Sequence, residues 1–399
     1  MHGARLLEAL REREPSARFV GMGGPRMAAA GLETAQDLEG MQVMGFWEVA
    51  RRYGFFREVF RRLLDRLKQE HPAALVCIDY PGFNLRFARE VRKLGIPCLY
   101  YIVPQVWAWK PRRAAKMAEF IDRAYCVFEF EPPFFERYRG PGRKMKTVFV
   151  GHPLLDAPPP TRLNLPAGPP VVALLPGSRP AEFAAHWRPM CLGFHAARGV
   201  VGPLRGLMSA PRGVPVALVR RAEMGLLFGA PRGGRRMPEE GKAERNGILF
   251  GPESEHASCA EALATLDLKD EPHAACLAAS SDFCVVKSGT STLEAGLQGK
   301  PFCVVYRGGW ISYALARLMV DIPVFGLVNI VLGRYVVPEL LQREVNPARI
   351  AGEIERGLTD RRHIEKLREA LAELPRKLGG PGASQRAAKG MLDFLAGQE

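Results

Sequence analysis

Short apolar runs that close on glycine, proline or aspartate, each followed by a stretch of helical spacing, recur along this chain. That alternation limits it to few architectures. "HGARLLEALRE" is helical in spacing, and "ARFVGMGG" is a short strand ending in glycine. "AALVCIDYPGFN" is a buried strand, "LRFAREVRKLG" a helix closed by Gly95, and "IPCLYYIVP" a further strand. "RRAAKMAEFIDRAYCVF" then gives helix and strand again. Strands separated by helices pair in parallel and need cover on both faces, so the pattern predicts an α/β protein.

At 399 residues the chain exceeds one ordinary core and suits two α/β domains. The proline-rich stretch "GHPLLDAPPPTRLNLPAGPP" cannot continue a helix or a central strand, and it reads as the linker. "VVALLPGS" opens the second unit. Residues 183–262 are rich in Gly, Pro and Arg with weak periodicity, and an irregular segment is expected there. The chain ends in helices, from "NPARIAGEIERGL" to "AAKGMLDFLAG", broken by "GGPGAS".

A net charge of +14 implies an anionic partner: nucleic acid, anionic lipid or a phosphorylated substrate. No zinc finger or single-strand platform is present, so no nucleic acid is expected. The eight cysteines form no C-x-x-C pair, and Cys77, Cys126, Cys284 and Cys303 lie in apolar runs. They read as buried free thiols in a reducing compartment, not as a disulfide framework or metal site. The most apolar long stretch, 313–333, contains Arg317, Asp321 and Pro323, whereas a membrane span needs about 20 nearly uncharged residues. With no signal peptide visible, a cytoplasmic protein is expected, in peripheral contact with a membrane.

Two strand–turn–helix junctions carry candidate chemistry. In "SDFCVVKSGTSTLEAGLQGKP", Gly289 lets a ligand approach the backbone, and Ser288, Thr290, Ser291 and Thr292 supply hydroxyls. A helix N-terminus there offers unpaired N–H groups to phosphate oxygens, and Glu294 one turn in can accept from a ribose diol. The competing reading is a capping box of Ser291 and Glu294 that merely closes a helix. In "VVALLPGSRPAE", Gly177, Ser178 and Arg179 precede a helix containing Glu182. Arginine's permanent charge and forked donors suit a diphosphate, against the alternative of a capping turn with a solvated arginine. Two such mouths in one domain favour a nucleotide site, although neither is a P-loop or a G-x-G-x-x-G.

Asp79 in "VCIDYPGFN" falls at the carboxyl end of a buried strand, where open α/β sheets bind ligands. It is either a general base toward an alcohol or the start of the Pro81–Gly82 turn; Asn84 can orient either. In "YYIVPQVWAWKPRR", Gln105, Trp107 and Trp109 either line a groove for sugar or acyl chain or belong to the core. In "FWEVARRYGFFREVFRRLLDRLK", Phe55, Phe56, Val59, Phe60 and Leu63 form an apolar face flanked by Arg57 and Arg61. Such a helix can lie on anionic lipid or pack its apolar face on a sheet.

Taken together, "HGARLLEAL", "FVGMGGPRMAAAGLE", "VMGFWEV", "IDYPGFN", "VPQVWAWKPRR", "FVGHPLLD", "LLPGSRPAE", "SGTSTLEAGLQGKP" and "GLVNIVLGRYVVPELLQ" resemble the lipid-A-disaccharide synthases, bacterial glycosyltransferases of the GT-B fold. The resemblance implies two Rossmann-like domains around a central cleft. It implies 1–157 as the acceptor and membrane-facing domain and 158–345 as the nucleotide-sugar domain, with 346–399 packing back or exchanged in a homodimer. The implied donor is UDP-2,3-diacylglucosamine and the acceptor is 2,3-diacylglucosamine 1-phosphate, joined with inversion into a β-1,6 disaccharide. It also implies no metal or other cofactor, Asp79 as candidate base, and Arg179, Ser288, Glu294 and Asn329 around UDP. It makes the basic amphipathic segment a surface for inner-membrane lipid.

Family chains carry a strand and a loop of the type "AGExSGD" before "HGA", whereas here Met1 directly precedes His2. A misassigned start or a shortened chain is expected, with an open edge in the first sheet. Two other readings stay open. One is a GT-B enzyme acting on UDP-N-acetylglucosamine, a transferase or 2-epimerase. The other is a nucleotide- or lipid-binding protein without catalysis.

Overall fold

The computed structural model describes residues 1–37, 53–109, 111–139, 145–209, 247–250, 273–308 and 324–397. The chain divides into two compact units, Met1–Ala157 with Arg376–Glu399, and Pro158–Pro375.

Unit 1 begins with α1 (His2–Arg13), β1 (Val20–Gly23), α2 (Pro25–Ala29) and β2 (Glu33–Asp37), followed by α3 (Tyr53–Glu70). Then come β3 (Leu75–Ile78), α4 (Pro81–Arg92), β4 (Cys98–Tyr101), α5 (Val106–Trp109), α6 (Arg113–Met117), β5 (Arg123–Cys126), α7 (Glu131–Arg139) and β6 (Lys146–Phe149). Strands β3 to β6 form a parallel sheet in chain order, with β3 at one edge, while β1 and β2 form a separate parallel pair. Burial follows the two-residue period of a strand. Cys98 and Tyr100 of β4 belong to one core face with Val59, Phe83, Phe87 and Met117. Leu99 and Tyr101 belong to the opposite face with Leu6, Ala9 and Leu10 of α1.

Unit 2 contains β7 (Val171–Leu175), α8 (Pro180–Val201), β8 (Arg205–Ser209), β9 (Gly247–Phe250), α9 (His273–Ala279), β10 (Phe283–Lys287), α10 (Thr290–Leu297), β11 (Phe302–Tyr306), α11 (Leu327–Leu332), β12 (Glu339–Leu341), α12 (Pro347–Thr359) and α13 (Arg361–Leu371). The sheet order is β12-β11-β10-β7-β8-β9, parallel except for the β8–β9 pair at the edge. Helices α8 and α12 cover one face, through Phe183, Met190 and Phe194 on the first and Ile350 and Ile354 on the second. Gly193 permits that approach: a Cβ there would lie 2.4 Å from the Ile350 side chain.

The short helix α14 (Leu374–Lys377) leads to α15 (Ala383–Leu395). Ala387, Ala388 and Met391 of α15 join the core face of α1 in the same chain. Asp156 fixes the start of α15, accepting from the backbone N–H groups of Gly382, Ala383 and Ser384 at 2.7, 3.0 and 2.8 Å.

The expected irregular segment is corrected over 183–209. Gly, Pro and Arg masked the period, yet α8 runs unbroken through Pro189 because Phe183, His186, Met190, Phe194 and Ala197 give it a continuous buried face. The remainder, 210–246 and 251–262, lies outside the described residues. No described helix is long and apolar enough to cross a membrane. Cys77, Cys126, Cys284 and Cys303 are buried free thiols.

Candidate functional site

Parallel strands place their carboxyl ends on one edge of the sheet, and in unit 2 the neighbours β7, β10 and β11 each end in a turn that carries polar groups. After β7, Gly177 takes φ +116, a conformation that favours glycine. A Cβ there would meet the Glu182 carboxylate at 2.7 Å. Ser178 and Arg179 follow, both exposed, and Arg179 is the N-cap of α8 with Pro180 in the first turn. After β10, Gly289 adopts φ 150, ψ −163, a region open essentially to glycine alone, and is the N-cap of α10. The two mouths are tied together. Glu182 Oε1 accepts from Lys287 Nζ at 2.8 Å and from Arg179 at 3.2 Å.

Ser291 lies inside α10 rather than at its N-cap, so the capping-box alternative fails. Thr292 closes the turn instead, its hydroxyl donating to the Gly289 carbonyl at 2.8 Å. Thr290, at the first helical position, is exposed. Burial pushes the Glu294 carboxyl up to about 7, partly offset by a hydrogen bond from Ser291. Ser288 donates its hydroxyl proton to the Phe325 carbonyl at 2.9 Å, which leaves that oxygen only its lone pairs for a ligand.

Asn329 requires correction as a ligand contact. It is fully buried, and both sides of its amide are used within the fold. Oδ1 accepts from the N–H groups of Val336 and Val337, both at 2.9 Å. Nδ2 donates to the Val337 carbonyl and to Glu339 Oε1, both at 2.8 Å. Glu339, which sequence reasoning missed, also accepts from Phe325 N–H and Gly326 N–H at 2.8 Å. Asn329 and Glu339 therefore shape the turn against which Ser288 rests. The available signal was a glutamate opening a short strand that is otherwise apolar.

In unit 1, Asp79 and Tyr80 follow β3 with φ values of 46 and 47, two consecutive non-glycine residues in the left-handed region. Such strain persists only when the surroundings over-determine it. Asn84 Nδ2 donates to the carbonyls of Asp79 at 2.7 Å and Ile78 at 3.2 Å, and the Tyr100 hydroxyl donates to the Asp79 carbonyl at 2.7 Å. The backbone is thus clamped while Asp79 is exposed at the strand's carboxyl end. Gln105, beyond the end of the adjacent strand β4, is exposed as well.

Trp107 is core rather than groove lining. It is 7% exposed, packs edge-on to Phe130 and donates its indole N–H to Glu131 Oε1 at 3.0 Å. The other Glu131 oxygen accepts from Val127 N–H and Phe128 N–H, while burial pushes this carboxyl up to about 7. The side chain of Trp109 lies outside the described residues.

The membrane-facing assignment of the apolar residues of α3 is corrected too. Val59 is 1% exposed, and Phe55, Phe56, Phe60 and Leu63 pack on the unit 1 core. Phe60 meets Phe83 and Phe87 edge-on. The apolar face is covered by protein because the α4 side of the sheet needs it; Arg57 and Arg61 are exposed on the other side.

Solved structures with low identity share this architecture. They include the S. aureus MnaA–UDP co-structure (TM-score 0.59, 13% identity, 98% of this chain and 93% of that one). A Listeria monocytogenes protein described as a UDP-N-acetylglucosamine 2-epimerase (0.55, 13%, 99% and 92%) and the calicheamicin glycosyltransferase CalG4 (0.53, 15%, 98% and 94%) are further examples. These likenesses show the GT-B fold. Sequence relatives are nearer. Lipid-A-disaccharide synthase of Anaeromyxobacter dehalogenans (strain 2CP-C) is 37% identical over 99% of this chain and 94% of its own length. Those of Myxococcus xanthus (strain DK1622) and Geobacter sulfurreducens are 34% identical over 99% and 94%, and 33% over 100% and 95%. With the family model of lipid-A-disaccharide synthetase matching residues 1–198 and 253–389, the chain belongs to the lipid-A-disaccharide synthase family.

Proposed function

We infer that the chain is an inverting glycosyltransferase of lipid A biosynthesis. It takes 2,3-diacylglucosamine from UDP and joins it to 2,3-diacylglucosamine 1-phosphate, releasing UDP. The observation that supports this reading most is the pair of glycine turns at the ends of β7 and β10, cross-linked through Glu182 and Lys287. A diphosphate can reach two helix N-termini there beside Arg179, and Glu294 can take a ribose hydroxyl. The epimerase reading is not favoured, because those likenesses are fold-level while relatives at 33–37% identity carry the synthase name over the whole chain.

In this reading the Asp79 carboxylate takes the proton of the acceptor 6-hydroxyl. The alkoxide-like oxygen forms the new bond to the anomeric carbon as the bond to UDP breaks, and the departing diphosphate keeps that electron pair. Arg179, Lys287 and the helix N-termini balance its charge without a metal. Gln105 and Asn84 serve the acceptor side, Asn84 by holding the Asp79 backbone. Exposed Arg57 and Arg61 draw the protein to anionic inner-membrane lipid by charge, since the α3 apolar face is already covered. A homodimer remains part of the proposal, to be tested by light scattering.

The purified chain, incubated with both substrates, is expected to form disaccharide 1-phosphate and UDP in equal amounts. Conversion of UDP-N-acetylglucosamine to its 2-epimer, or UDP binding without any turnover, would refute the assignment.

A further inference from the structure

His186, seven residues along α8 from Arg179 and four from Glu182, is 1% exposed, and it reaches a third strand end. Its Nδ1 lies 2.7 Å from the Glu182 carbonyl oxygen, and its Nε2 lies 2.8 Å from the backbone nitrogen of Arg307, just past β11. A carbonyl oxygen only accepts and a peptide N–H only donates. The ring is therefore neutral, with its proton on Nδ1 and its lone pair on Nε2 toward Arg307. The next peptide is held as well, Gly308 N–H donating to Gln342 Oε1 at 3.2 Å. Two side chains from different elements thus fix the turn at Arg307–Gly308, and Arg307 is exposed.

Residues three and four apart share one helix face, so a single face of α8 serves three turns. Arg179 caps the helix after β7, Glu182 holds Lys287 at the end of β10, and His186 holds Arg307 at the end of β11. We propose that His186 is a positioning residue for the nucleotide site, seating Arg307 as a further ligand of the donor diphosphate. This rests on the nucleotide reading of the β7 and β10 turns.

The arrangement has an acid limit. A second proton on Nε2 would point at the Arg307 N–H and break the tether. The charged groups around the ring are Glu182 on its own helix, Lys287 of β10 and Arg307 of the β11 turn, with the Tyr306 ring 6.4 Å away. Burial, chiefly, and the two cations hold the imidazole below the ordinary histidine range, against the opposing pull of Glu182. The tether is intact at neutral pH and opens only in acid.

UDP titrations of the full chain by calorimetry, between pH 8 and pH 5, test this. Taking the ratio of variant to wild-type Kd cancels the titration of UDP itself. Arg307→Ala is expected to weaken UDP by about 5- to 20-fold at pH 8, the size of one charge-assisted contact, and the ratio falls toward one only where acid protonates His186. His186→Phe is expected to match the Arg307→Ala loss at pH 8, with no further loss in the double variant. An Arg307→Ala ratio within twofold of one at pH 8, or a folded His186→Phe variant that binds UDP like wild type, overturns the proposal. Should His186→Phe fail to fold by circular dichroism, the Arg307→Ala ratio at pH 8 still decides. Arg179→Ala, run alongside, separates the two levels. If it weakens UDP while Arg307→Ala does not, only this inference fails; if neither does, the nucleotide reading fails with it.

Discussion

Lys287 Nζ and Glu182 Oε1 lie 2.8 Å apart, although 105 residues separate them in sequence. The pair joins the last residue of β10 to the first turn of α8, and both side chains are largely buried, at 17% and 20% exposure. Among the described residues, Lys287→Ala would leave the Glu182 side chain with the more exposed Arg179 as its remaining cation. Partly buried pairs of this kind show coupling energies of about 1–2 kcal/mol. A double-mutant cycle of Lys287→Ala and Glu182→Ala, read by denaturant unfolding, is expected to return that value. A coupling near zero would show that the two mouths are not tied.

Asp79 is expected to act on rate alone. Asp79→Asn keeps the size of the side chain and the clamped backbone but removes the proton acceptor. Turnover should fall by about 10²- to 10⁴-fold, the usual reach of a general base. UDP affinity should stay within twofold of wild type. Unchanged turnover would remove the base role.

Glu294 sets a pH dependence. Its carboxyl titrates near 7 in the folded chain against an ordinary value of 4.5, so the folded state holds this proton more tightly. Its stabilising contribution is full below about 4.5 and is lost as pH rises through about 7. Function runs the other way, since only the ionised form accepts two ribose hydroxyls. Initial rates at low donor should rise between pH 6 and pH 8 in wild type and be flatter in Glu294→Gln. An identical profile in both would exclude Glu294 as the source.

Asn329 is a structural residue in this account. Asn329→Ala would strand the buried Val337 N–H, the half-buried Val336 N–H and one buried Glu339 contact. The cost is about 3–5 kcal/mol, since each buried unsatisfied group loses roughly 1–3. Urea unfolding should show it; a loss of UDP affinity with stability intact would restore Asn329 as a ligand.

Much of the fold was legible because local patterns carried it. The alternation named the sheets, and Gly177 and Gly289 marked turns that only glycine fits comfortably. What stayed hidden depended on partners far away in sequence. His186 reads as one polar residue in a helix until Arg307, 121 residues on, is seen at its Nε2. Lys287 and Glu339 were likewise invisible without their partners, Glu182 on α8 and Asn329 on α11. Phe60 and Val59 show a different limit. An amphipathic period reports an apolar face, but it does not say whether lipid or a neighbouring helix covers it. Trp107 was ambiguous for the same reason, until Glu131 was found at its indole nitrogen.

A crystal structure of the chain with UDP tests the central claim most directly. The diphosphate should sit at the turns 177–179 and 288–290, within hydrogen-bonding distance of Arg179, with the ribose toward Glu294. A diphosphate bound anywhere else, with those two turns unoccupied, would contradict the account.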